Sequence, residues 1–201
     1  MRNLKDILES IFDIDNNIDN VDESVKYQIK QFIEDNYNKC DFFISKDTNE
    51  YGKYEVACAG SVSVKNKKIT SLTNGLFIWD VVDSTFDCND CELLKSLDGA
   101  PKSVNGGFCC SNCKSLKTLE GAPEKVGGYF SCSNCKSLKT LEGAPKEVGW
   151  NFSCSGCNSL TSLKGAPEKV GGDFYSLYCG KQFTEEDVKK VSNVKLNICC
   201  K

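Results

Sequence analysis

Histidine is absent from the 201-residue chain. Its absence removes the commonest general base, and with it any Ser-His or Cys-His catalytic pair. Long apolar runs are missing too. The opening MRNLKDILESIFD mixes charge with hydrophobe, so neither a signal peptide nor a membrane-spanning helix is expected, and the expected location is the cytoplasm. There is no basic stripe either: the formal charge is -3, with 7 basic and 13 acidic residues in 1–60 and 18 and 15 in the remainder. Nucleic acid and membrane are therefore not expected as partners. P-loop and dinucleotide fingerprints are also lacking. Asp13, Asp15, Asn17 and Asp19 have the spacing of a calcium loop, but Ile18 stands where the turn needs glycine and Ser24 where a bidentate glutamate belongs.

Cysteine, by contrast, is abundant, with 14 residues. In a reducing compartment these are thiols or metal ligands rather than a disulfide framework. Most of them recur at a fixed interval. Written in rows of 22 from Phe86, the chain aligns Phe86, Phe108, Phe130, Phe152 and Phe174 without a gap. The third place holds Cys88, Cys110, Cys132 and Cys154, and the sixth holds Cys91, Cys113, Cys135, Cys157 and Cys179. Two leucines follow, as at Leu138 and Leu141, then Gly-Ala-Pro and a valine. A degenerate row starts at Val62, with Val64 at the third place and Lys67 at the sixth, and an irregular FIWDVVDST separates it from Phe86. The last row leaves the pattern after Cys179. Atypical ends are what a stacked array requires, because an uncovered end rung exposes its core to water.

The pattern VxxxFxCxxCxxLxxL, from Val126 to Leu141, resembles the leucine-rich repeat: Phe130 and Cys132 fall on strand leucines and Cys135 on the Asn/Cys ladder position. The Gly-Ala-Pro and Val-Gly-Gly closures are similar to short repeat proteins of phages and bacteria. The likeness covers about 62–183 and departs from the common form in its extra proline-glycine turns, where a convex-side helix would stand. It implies an α+β repeat, a parallel β-strand solenoid with 22-residue rungs, a helical N-terminal cap over 1–61 and a helix-strand C-terminal cap over 184–201. It also implies a sharper functional expectation, an inhibitor that occludes a host bacterial enzyme or defence complex.

Within the N-terminal cap, Leu4, Ile7, Leu8, Ile11 and Phe12 follow the spacing of a one-striped helix. A second helix is expected from Asn20, capped by that side chain with Glu23 reaching back, and burying Val25, Ile29, Phe32 and Ile33. DFFIS and YEVACAGSVSV alternate as strands do.

Cys88, Cys91, Cys110 and Cys113 match a zinc template by spacing. A closed four-ligand shell, however, is not what an open column of equivalent pairs provides. Stacked strands lie about 4.8 Å apart, so one residue type recurs as a vertical ladder. Cysteine there acts as a small buried hydrophobe: third-place thiols fill the interior beneath phenylalanine, and sixth-place S–H groups bond a carbonyl at the turn. Cys109 and Cys199 are expected to point outward and are the candidate reactive thiols. Two charged columns, Lys102, Glu124, Lys146, Glu168 and Ser103, Lys125, Glu147, Lys169, alternate in sign between rungs.

Residues flanking the inward Phe and Cys should line an outer strand face of small polar side chains: Tyr129, Ser131 and Ser133; Asn151, Ser153 and Ser155; Asp173 and Tyr175. Trp150 adds a further aromatic anchor of the kind interface hot spots favour. The expectation is a non-enzymatic module that binds a protein partner through this face, with no cofactor and no metal. The alternative is a metal-binding or redox protein built on the Cys-x-x-Cys pairs.

Overall fold

The computed structural model describes residues 20–45, 48–64 and 66–200. The helix expected at Leu4–Phe12 and the calcium-like Asp13–Asp19 segment lie outside them. Along the chain come α1 (Asn20–Asn36), β1 (Phe42–Ile44), β2 (Tyr54–Cys58), β3 (Val62–Ser63), β4 (Phe77–Val82), β5 (Phe86–Asp87), β6 (Ser103–Val104), β7 (Phe108–Cys109), β8 (Lys125–Val126) and β9 (Phe130–Ser131). These are followed by β10 (Glu147–Val148), β11 (Phe152–Ser153), β12 (Lys169–Val170), β13 (Phe174–Tyr175), α2 (Glu185–Lys189), β14 (Asn193–Val194) and β15 (Ile198–Cys199).

The repeat folds as a parallel β-solenoid, with each inner turn contributing two short strands. One sheet runs β1-β2-β4-β6-β8-β10-β12-β14 and carries the valine column; the other runs β15-β13-β11-β9-β7-β5-β3 and carries the phenylalanine column. The two strands of a rung are divided by a corner at Asn105–Gly107 and its equivalents. Hydrogen-bond polarity reverses across that corner. Gly127 N donates back to Val104 O at 2.9 Å, whereas Phe130 N donates forward to Asn151 O at 2.9 Å. Glycine recurs there because the rungs approach closely: a Cβ at Gly127 would stand 2.3 Å from Asn105 O of the preceding rung.

Register confirms the 22-residue period between inner rungs, as in Phe108↔Phe130 and Val126↔Val148. The end rungs pair at 24, Val62↔Phe86 and Phe174↔Ile198. The sheets extend beyond 62–183: β1 and β2 start the valine sheet, and β14 and β15 continue both sheets past α2. The FIWDVVDST stretch, irregular as sequence, supplies β4, with Phe77, Trp79 and Val82 buried.

Inside, Phe86, Phe108, Phe130 and Phe152 stack with centroids 5.4, 5.3 and 5.7 Å apart and planes within 10°. Each is fully buried, contributing roughly 1.5–3 kcal/mol by area. A rung has apolar neighbours only above and below, so it gains that burial only when stacked. The leucine and valine columns are buried alongside. At the N-terminal end α1 covers the first rung with Ile29 and Ile33, while Val25 and Phe32 pack at its margin, matching the expected apolar stripe. Tyr37, just past the helix, is buried edge-on to Trp79 with centroids 5.4 Å apart. The helix does start at Asn20; the capping role of that side chain lies outside the described residues. At the other end Thr184 and Asp187 form a capping box on α2, whose Val188 is buried with Phe183 against the core.

Candidate protein-binding face

The Cys-x-x-Cys spacing is a turn. The residue before each sixth-place cysteine is left-handed: Asp90 (φ 61°), Asn112 (60°), Asn134 (59°), Gly156 (73°) and Tyr178 (55°). Asp, Asn and Gly are the residues that tolerate this region. The turn carries the chain from the phenylalanine sheet to the leucine side while keeping both cysteines inward. The third-place thiols bond forward, Cys88 Sγ to Cys109 O at 3.2 Å and Cys132 Sγ to Ser153 O at 3.5 Å. The sixth-place thiols donate to a carbonyl of the previous rung, Cys135 Sγ to Cys110 O at 3.1 Å. In the degenerate rung Lys67 takes over as donor, its Nζ 2.7 Å from Asn89 O. Cysteine is thus interior filler with a weak donor, as expected. Among the described residues no three Cys, Asp or Glu side chains converge to hold a metal ion.

Outside the phenylalanine sheet, the residues of the expected face do converge, but few of them are free. Ser111, Ser131, Ser133 and Ser153 form a zigzag of hydroxyls at 2.8, 3.1 and 2.8 Å. Ser155 Oγ accepts from Leu177 N at 3.1 Å, and Asn151 Oδ1 from Asp173 N at 2.9 Å. Asp173 accepts from the backbone and side-chain nitrogens of Asn197 and from Tyr175 OH at 2.8 Å. Those bonds, the Asn197 backbone N–H first, hold the Asp173 carboxyl below its ordinary value, and the bond to Asp173 raises the Tyr175 hydroxyl. The strip is a polar surface whose side chains largely satisfy one another.

The three aromatics differ. Tyr129 lies flat over Gly107, where an added Cβ would sit 2.4 Å from its ring. Its hydroxyl meets Cys109 and Thr85, and it is only 38% exposed. Tyr175 is half-buried and tied to Asp173. Trp150 is 68% exposed, in a corner column that runs Ser84, Gly106, Gly128, Trp150, Gly172 and Leu196. Cys109 does point outward but is half-buried beside Tyr129, and burial raises its thiol, lowering its reactivity. Cys199 is likewise half-buried.

Sequence reasoning missed Tyr178, 82% exposed at the far edge of the same face. The signal was available: its place belongs to Asp, Asn, Asn and Gly in the preceding rungs, and a tyrosine held left-handed carries strain of about 1–3 kcal/mol. Charge alternation is realised where Glu147 bridges Lys125 at 3.2 Å and Lys169 at 2.8 Å. Lys102 turns instead to Glu55 at 2.5 Å and Asp80 at 3.3 Å. Alternation does not extend to every column, for Lys95, Lys117 and Lys139 stack as like charges on the leucine side. No helix among the described residues is long and apolar enough to cross a membrane. No family model, curated protein or solved structure matches the chain.

Proposed function

We propose that this protein is a non-enzymatic recognition module that binds another protein on the outer face of the phenylalanine sheet, with Trp150 as its anchor. One observation carries the reading: an indole is left 68% exposed between Gly128 and Gly172 of the corner column. Large exposed aromatics on a preorganised surface are the features that interface hot spots use. The hydrogen-bonded serine strip beside it presents few long side chains to order on binding. The similarity to phage and bacterial repeat proteins directs the search to a bacterial partner, and its sharper form is a cytoplasmic inhibitor that occludes a host enzyme or defence complex.

The test is retention of a stoichiometric partner from bacterial lysate by immobilised wild-type protein, identified by mass spectrometry and then titrated as a purified component. Trp150→Ala is expected to weaken that association by about 2 kcal/mol, roughly 30-fold. Undiminished affinity in a correctly folded variant refutes the chosen face.

A further inference from the structure

The buried thiols are arranged in pairs. Each sixth-place thiol lies against the third-place cysteine of the preceding rung: Cys113 Sγ is 3.2 Å from Cys88 O, Cys135 Sγ 3.1 Å from Cys110 O, Cys157 Sγ 3.1 Å from Cys132 O and Cys179 Sγ 3.4 Å from Cys154 O. In each pair the two thiols are also side-chain neighbours. All eight are unoxidised cysteines, seven of them buried and Cys179 half-buried. Pairs of thiols, without a third ligand group, suit a sulfur–sulfur bond rather than a tetrahedral ion. Cys113 also reaches Cys91, the sixth-place cysteine of the preceding rung.

We propose that Cys88–Cys113, Cys110–Cys135, Cys132–Cys157 and Cys154–Cys179 are four latent disulfide sites, each able to staple one rung of the solenoid to the next. The oxidant is a small-molecule disulfide such as oxidised glutathione. One cysteine thiolate attacks it and releases a thiol, leaving a mixed disulfide. The partner cysteine then attacks the protein-side sulfur and releases the second thiol. In sum, two protein thiols lose two electrons and two protons, and the reagent's S–S bond takes them up to become two thiols. Each bridge links residues 25 apart. The loops overlap, because Cys110 falls inside the loop closed by Cys88 and Cys113, and so on along the stack. Full oxidation therefore interlocks the array from Cys88 to Cys179. Seven of the eight thiols are buried and out of reach of a dissolved oxidant, so the staples form while rungs open or while the chain folds.

The test is refolding of the full chain with oxidised glutathione, beside a reduced control, followed by non-reducing peptide mapping and urea unfolding. The expected result is the four named linkages, with the unfolding midpoint shifted to higher urea. Cys135→Ala should abolish only the Cys110 linkage and leave Cys88–Cys113 in place. If that variant does not fold, slow oxidation of folded wild-type protein by the same reagent, mapped at low conversion, gives the same readout. Vertical linkages such as Cys88–Cys110, scrambled pairings, or glutathione adducts without bridges overturn the proposal. None of these outcomes bears on the Trp150 face.

Discussion

Two left-handed glycines separate backbone strain from rung packing. Gly143 (φ +88°) belongs to the Gly-Ala-Pro closure and Gly156 (φ +73°) to the cysteine turn. In Gly143→Ala the new Cβ would stand 2.2 Å from Glu120 N and 2.4 Å from Leu119 C, both backbone atoms of the rung beneath. Restoring ordinary van der Waals separation requires the rungs to part by roughly 1 Å. They are joined at this point by Leu119 N donating to Glu142 O at 3.1 Å. Left-handed strain of about 1–2 kcal/mol and a weakened hydrogen bond of about 0.5–1.5 kcal/mol combine to about 1.5–3.5 kcal/mol, offset by about 0.4–1 kcal/mol from the stiffer unfolded chain. In Gly156→Ala the Cβ would stand 2.0 Å from Asn134 Oδ1, the end of a side chain that can rotate. Only the strain remains, with the same offset from the unfolded chain. Equilibrium urea unfolding of the two variants measures the difference, expected at about 1 kcal/mol from the weakened hydrogen bond, with unchanged m-value. Equal losses would refute close rung-on-rung packing at the Gly-Ala-Pro closure.

Cys132→Ala should cost about 1–2 kcal/mol, the removal of one buried sulfur and the small cavity it leaves, and elemental analysis before and after should show no change in metal content. The Glu55 carboxyl is held below its ordinary value chiefly by the Lys102 ammonium. A carboxyl depressed in the folded state stabilises above its unfolded value near about 4.3 and loses that contribution as pH falls through the depressed one. Urea midpoints of wild type and Glu55→Gln should therefore differ at pH 6 and converge at strongly acid pH, and less so at high salt. Trp79 is buried and Trp150 exposed, so acrylamide should quench wild-type fluorescence in two unequal parts, and Trp150→Phe should leave only the protected one. Alkylation of Cys109 at neutral pH should be slower than that of an unstructured thiol, because burial raises it; fast selective labelling there would reopen a catalytic use of that cysteine.

The sequence by itself determined which residue stands above which. Its 22-residue period placed Phe on Phe, Cys on Cys and Leu on Leu, marked the ends as caps, and made buried thiols a better reading than a metal shell, because a vertical ladder needs only the period. It also located the outer face, since inward and outward places alternate around Phe130 and Cys132. Only the tertiary structure decided how the chain turns within a rung. That depends on dihedrals at Asn134 and at the glycine corner, which periodicity does not encode, and it divides each inner turn between two sheets. The same local geometry lays Tyr129 over Gly107, leaves Trp150 free, joins the serines to one another and sets Cys135 diagonally against Cys110. A repeat specifies its vertical neighbours directly; diagonal contacts follow from the shape of the coil.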